Sequence, residues 1–203
     1  MNPAPPPAVE GVNRLVAQMC ESGQLSPKAC QLLSDGKPHP ALLTELEDAG
    51  LAEDAVRILA YSLKKPQAIW WGCLCVWSLY RPSPPRQAEA VLHAVLRWLH
   101  QPTEANRRVI EEPAWAAGGN TPEGLLGLAA IWSEGSMSPP GQPTVDPPAH
   151  LSAKCVANAV ILAGAINGPA DAPVYYHGFL DLGKHVLSSK NTWQAEQRPQ
   201  PGQ

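Results

Sequence analysis

The sequence predicts an all-α fold, an irregular multi-helix bundle with Pro-rich loops. Three observations carry the prediction. Apolar residues recur at helical spacing along most of the 203 residues. Capping residues followed by proline, as in Ser26-Pro27 and Thr121-Pro122, open several of the apolar segments. No set of alternating apolar and polar residues marks a half-buried sheet, since Val174-Tyr175-Tyr176 is short and isolated.

The first helix is predicted over residues 8–21, where Val12, Leu15, Val16 and Met19 share one face at i, i+3, i+4, i+7. Ser26-Pro27 opens a second segment and Gly36 closes it. Segments 40–49 and 51–63 follow, separated by Gly50. Residues 45–54 hold Glu45, Glu47, Asp48, Glu53 and Asp54 with no base among them, and read as a solvated loop between two helices. Lys65–Tyr80 is the most apolar stretch. Arg81-Pro82-Ser83-Pro84-Pro85 ends it and starts a helix to about His100. Residues 103–117 continue, with Pro113 kinking or ending the helix near Glu112. Thr121-Pro122-Glu123, a cap followed by proline and an acid suited to the helix dipole, opens 124–134. Residues 135–150 carry Pro139, Pro140, Pro143, Pro147 and Pro148 and form a long surface loop, of the functional or mobile kind. A helix of small and β-branched residues covers 151–167 and ends at Gly168-Pro169. A last helix spans about 173–189. The expected organisation is one helical domain over 8–189 between a disordered Pro-rich start (1–7) and a disordered polar tail (190–203).

Composition narrows the function. Charged residues make up 16 % of the chain, against about 25 % in ordinary globular proteins. With 15 Lys+Arg against 18 Asp+Glu the formal net charge is −3, and no basic stripe points to nucleic acid. Cys20, Cys30, Cys73, Cys75 and Cys155 are odd in number and scattered through apolar stretches, unlike a disulfide framework. The start MNPAPPPAVEG lacks the basic and apolar regions of a secretory signal. No run reaches the roughly 18 apolar residues of a membrane helix. These features predict a protein of a reducing cytoplasm, with no membrane and no nucleic-acid partner.

Chemical motifs are sparse. Cys73-Leu74-Cys75 has one intervening residue where zinc sites use two to four, no second pair accompanies it, and both thiols read as core. His93 and His100 lie seven apart on a helix, about 10 Å along its axis and too far for one ion; with Glu89 and Arg97 they read as a solvated face. Ser62-Leu63-Lys64-Lys65 matches S-x-x-K without the companion motifs of serine penicillin-binding enzymes. Gly118-Gly119 and 124–127 lack the Lys-Ser/Thr of a phosphate loop. Gly164-x-x-x-Gly168 reads as close helix packing. No catalytic residue, metal ligand or cofactor is predicted.

The tryptophans are the informative residues, seven against one Phe. Trp70 and Trp77 fall in phase with Cys73 and Leu74 and read as a core-facing stripe. Trp71, about 100° round the helix, shares its side with Lys64, Gln67 and Ser78, so it is either packed beneath another helix or presented to a partner. Trp132 stands before the Pro-rich loop as a recognition platform or as the anchor of the loop base. Trp98 and Trp115 read as ordinary packing.

Segment 68–75 (Ala-Ile-Trp-Trp-Gly-Cys-Leu-Cys), segment 113–117 (Pro-Ala-Trp-Ala-Ala) and the Ala130-x-Trp132-Ser133-x-Gly135-Ser136 stretch together resemble an uncharacterised bacterial protein family associated with gene clusters for type VI secretion cargo. The resemblance covers about residues 50–190. That family carries no established catalytic residues, so none is transferred. It implies an accessory role: a cytoplasmic adaptor or chaperone that holds an effector or spike component before loading.

The resulting expectation is a non-enzymatic protein that binds another protein, its oligomeric state open, through a face made of Trp71, Gln67, Trp132 and Met137. On that expectation Trp71→Ala weakens partner capture and leaves thermal stability nearly unchanged. Two other classes stay open. An enzyme without a recognisable motif would use Cys155 or a histidine such as His177, and would show a concave pocket with ionisable groups in hydrogen-bond reach. A small-ligand binder would show a closed apolar cavity of roughly 300 Å³ or more.

Overall fold

The structure, a computed structural model, describes residues 7–33, 39–139 and 141–188. All regular structure among them is helical: α1 (Pro7–Glu21), α2 (Pro27–Leu32), α3 (His39–Asp48), α4 (Ala52–Ser62), α5 (Lys65–Tyr80), α6 (Arg86–His100), α7 (Glu104–Val109), α8 (Glu111–Ala117), α9 (Pro122–Ile131), α10 (Leu151–Ala165) and α11 (Ala172–Ser188). The expected disorder of residues 1–6 and 190–203 lies outside the described residues, whereas Pro7 belongs to α1.

The helix starts follow from local chemistry. Ser26 is extended and its Oγ accepts from the Ala29 N–H at 3.1 Å, which satisfies one of the free donors at the start of α2. Thr121 does the same for α9 through the Gly124 N–H, with Pro122 in the first turn where its missing donor costs nothing. Between α3 and α4, Gly50 takes φ +71°, a left-handed conformation that lets the chain reverse while the Leu51 N–H bonds back to the Leu46 carbonyl.

Residues 103–117 are two helices rather than one kinked helix. Pro113 has no N–H for the Val109 carbonyl, and the chain breaks at Ile110 so that the proline falls within the first turn of α8. Residues 45–54 are a second correction. They are the end of α3 and the start of α4, and Asp54 is buried: it accepts from the Ser26 N–H at 2.9 Å and from Ser26 Oγ at 2.8 Å.

Helices α5 and α10 form the spine. Helix α5 packs on α4, α6, α9, α10 and α11, while α10 packs on α4, α5, α9 and α11. One buried apolar cluster runs from Val16 and Met19 of α1 to Phe179 and Leu180 of α11. Helix α1 joins α2 through a Cys20–Cys30 disulfide, which corrects the expectation that the cysteines form no such bond; Cys73, Cys75 and Cys155 are free and buried. The sequence pattern missed the pair because the two thiols meet only across the turn between two helices.

Gly164 sets the distance between α10 and α11. A Cβ there would overlap the Tyr176 ring, whose hydroxyl donates to the Ile161 carbonyl at 3.0 Å. Gly164→Ala is expected to cost about 1–3 kcal/mol through overpacking, read as a lower denaturant midpoint with an unchanged slope. Gly178→Ala, inside α11 with open space around its Cα, serves as the control and should gain up to about 1 kcal/mol.

Candidate functional site

The expected binding face is not assembled as its helical phase suggested. Trp71 is 0 % exposed, and its indole N–H donates to the Phe179 carbonyl at 2.7 Å. The Gln67 amide is used locally, with Oε1 accepting from the Lys64 N–H at 3.3 Å across the first turn of α5. The phase argument assumed one covered side, but α5 is enclosed by several helices, and α11, 108 residues further along, covers Trp71. Trp71 is therefore enclosed within the fold, whereas Gln67 is half-buried in the first turn of α5.

The stripe expected to face the core is the exposed one. Trp70 is 37 % and Trp77 42 % exposed. Together with Leu74 of α5 and Leu92 and Leu96 of α6 they line an apolar groove of about 340 Å³, with Glu89 and His93 on the α6 side. Cys73 forms part of its wall, buried, with burial pushing its thiol pKa up to about 12. The groove is open, so it is not the closed cavity expected of a small-ligand binder.

Trp132 is half-buried and meets the edge of the Trp115 ring at 6.4 Å between centroids and 66° between planes. Trp115 itself is 59 % exposed, which corrects the expectation of ordinary packing. Met137 is exposed on the Pro-rich loop. The base of that loop is clamped. The fully buried Arg107 guanidinium grips both Glu104 oxygens (2.7 and 2.6 Å) and donates to the carbonyls of Ile131 (2.5 Å) and Ser136 (3.3 Å). Arg108 donates to the Ser136 and Ser138 carbonyls at 3.0 and 2.8 Å. The loop then closes on itself through the Met137 N–H and the Val145 carbonyl at 2.8 Å. Hydrogen bonding from Arg107 leads the effects that hold the Glu104 carboxyl below its usual range. The Glu104-Arg107-Arg108-Glu111 spacing at i+3 and i+4 was the available sequence signal for this clamp.

A cleft of about 560 Å³ opens between α3, α4 and α11, lined by Ser26, Glu47, Glu53, Asp54, Tyr176 and His177 over an apolar floor that includes Leu51 and Pro173. His177 Nδ1 lies 3.1 Å from Glu47 Oε1 and His177 Nε2 lies 3.6 Å from Asp181 Oδ2. Lys184 Nζ bonds Glu47 Oε2 and approaches Asp181 Oδ1 at 3.4 Å. The sequence hid this group because Glu47 sat in a run read as loop. His177 and Asp181, one turn apart on α11, were the legible half.

The other residues considered for chemistry do not converge. Cys155 is buried and its thiol is pushed up to about 11 by burial, so it stays protonated and inert. Ser62 Oγ donates to the Ile58 carbonyl while Lys65 Nζ reaches the Ser133 carbonyl, so the S-x-x-K match is no dyad. Among the described residues no helix is long and apolar enough to cross a membrane.

A family model described as "Family of unknown function (DUF6931)" matches residues 42–187. No curated protein and no solved structure matches the chain.

Proposed function

The chain belongs to the DUF6931 family over residues 42–187, and from that premise we propose that it is a partner-binding protein whose docking surface is the Trp70–Trp77 groove between α5 and α6. The observation that carries the reading is the exposure of two large indoles on one face of the central helix, bracketing an apolar trough. Tryptophan anchors contribute a disproportionate share of binding energy when a partner desolvates them. A trough between two helices accepts the apolar face of a third, so the occupant is an amphipathic helix of another polypeptide. The finer role is that of a cytoplasmic adaptor or chaperone for an effector or spike component of a type VI-like secretion system. It is supported by the motif resemblance alone, and segment 68–75 of that resemblance supplies Trp70, Cys73 and Leu74 to the groove.

The test is co-purification from the native bacterium with a Trp70→Ser/Trp77→Ser variant beside the wild type. A stoichiometric secretion-cargo protein retained by the wild type, with affinity reduced at least about thirtyfold in the variant, is the expected result. Each indole is still more than half covered, so the variant is compared only after its fold is verified by circular dichroism and thermal unfolding. Equal retention by both proteins would remove the groove from the reading. A retained partner of unrelated function would remove the secretion role.

A second reading has its own observation. The His177–Glu47 contact beside a cleft is the geometry that an acid–base enzyme would need. It is the weaker reading, because Glu47 is already engaged by Lys184 and the imidazole is 70 % exposed to water.

A further inference from the structure

We propose that Glu47, His177 and Asp181 form a binding site for a divalent transition-metal ion, held closed in the metal-free protein by the Lys184 ammonium. The inference is independent of the partner-binding reading. His177 and Asp181 stand one turn apart on α11, so their side chains leave the same face. Glu47 reaches them from α3, and its side chain is only 12 % exposed, which fixes its carboxylate against α11. One ligand atom from each residue lies within 4.8 Å of the others. The 3.1 Å between His177 Nδ1 and Glu47 Oε1 is close to the roughly 3–3.5 Å kept by neighbouring ligands around an ion bonded at ~2.1 Å.

The donor set decides the class of ion. Magnesium and calcium take oxygen ligands, whereas an imidazole beside two carboxylates suits zinc and its neighbours. The structure also shows that this position attracts positive charge. Lys184 Nζ is seated on the same two carboxylates, bonding Glu47 Oε2 and lying 3.4 Å from Asp181 Oδ1. The His177 ring turns Nδ1 toward Glu47 and Nε2 toward Asp181, so either nitrogen stands beside a carboxylate. The adjoining cleft, which Glu47 and His177 help to line, leaves room for water or a ligand at the positions the protein does not fill.

The experiment is calorimetric titration of tag-free protein with zinc chloride and, separately, magnesium chloride. One zinc ion per chain is expected, with no magnesium binding. His177→Gln should weaken zinc at least tenfold, while His150→Gln, at the start of α10 and outside the cleft, should leave it unchanged. Lys184→Met removes the competing charge and should tighten zinc about tenfold or more, a gain that misfolding cannot imitate. Zinc affinity unchanged in His177→Gln overturns the site, as does the failure of both wild type and Lys184→Met to bind. Equal affinities in wild type and Lys184→Met overturn the closing role of the lysine.

Discussion

Trp71→Ala is expected to lower stability by about 3–5 kcal/mol and the melting temperature by roughly 6–20 °C, read by calorimetry or by fluorescence on heating. The ring is fully enclosed, and the absence of a side chain at Gly183 makes room for it: a Cβ there would lie 2.9 Å from Trp71 Nε1. Truncation removes buried apolar area and leaves a cavity that α4, α5 and α11 can only partly close. Trp71→Phe keeps most of the volume but not the donor to the Phe179 carbonyl, so its cost should be smaller, about 1–3 kcal/mol. Partner capture, measured where the variants remain folded, should be unaffected. A thermally normal Trp71→Ala protein that had lost its partner would restore the surface role expected from the sequence and contradict the buried position.

Arg107→Ala is expected to cost about 3 kcal/mol or more. Hydrogen bonds to charged groups contribute roughly 1.5–3 kcal/mol each where they are buried, and the substitution strands the Ile131 carbonyl at the end of α9. Glu104, whose side chain is 58 % exposed, regains water and limits the loss. Arg107→Lys keeps the charge but not the planar fork that meets Glu104 through two nitrogens, so it should recover little. The accompanying signature is faster amide exchange over residues 132–139. Arg108 still holds the Ser136 and Ser138 carbonyls, so full release of the loop should need both arginines replaced. Unchanged exchange in the double variant would show that the clamp does not order the loop.

Much of the fold was legible because its cues are local. The caps at Ser26 and Thr121, the apolar run of Lys65–Tyr80 and the Gly168-Pro169 stop all act within one or two turns, and the helices begin and end near them. The break at Ile110 came close to expectation, since a proline announces a disruption without saying whether the chain bends or restarts. The candidate sites were legible only in fragments. Trp70, Leu74 and Trp77 were recognised as one stripe, yet the side that α6 leaves open depends on where a second helix lies. Glu47 meets His177 across 130 residues, and no spacing rule on one helix reports that meeting.

Read alone, the amino-acid sequence settled that the chain is helical, where most helices start, and that its cysteines at 73 and 75 are packing residues; the burial of Cys155 came only from the structure. The properties legible in the sequence follow from short-range hydrogen bonding and from the period of a single helix. Tertiary structure alone decided which indole is buried and which is open, that Cys20 and Cys30 join, and that an imidazole, two carboxylates and an ammonium share one corner of the molecule. Helix α5 is apolar on nearly every side, so its own pattern offers no preferred face; the neighbours that arrive from distant parts of the chain choose one by covering the others.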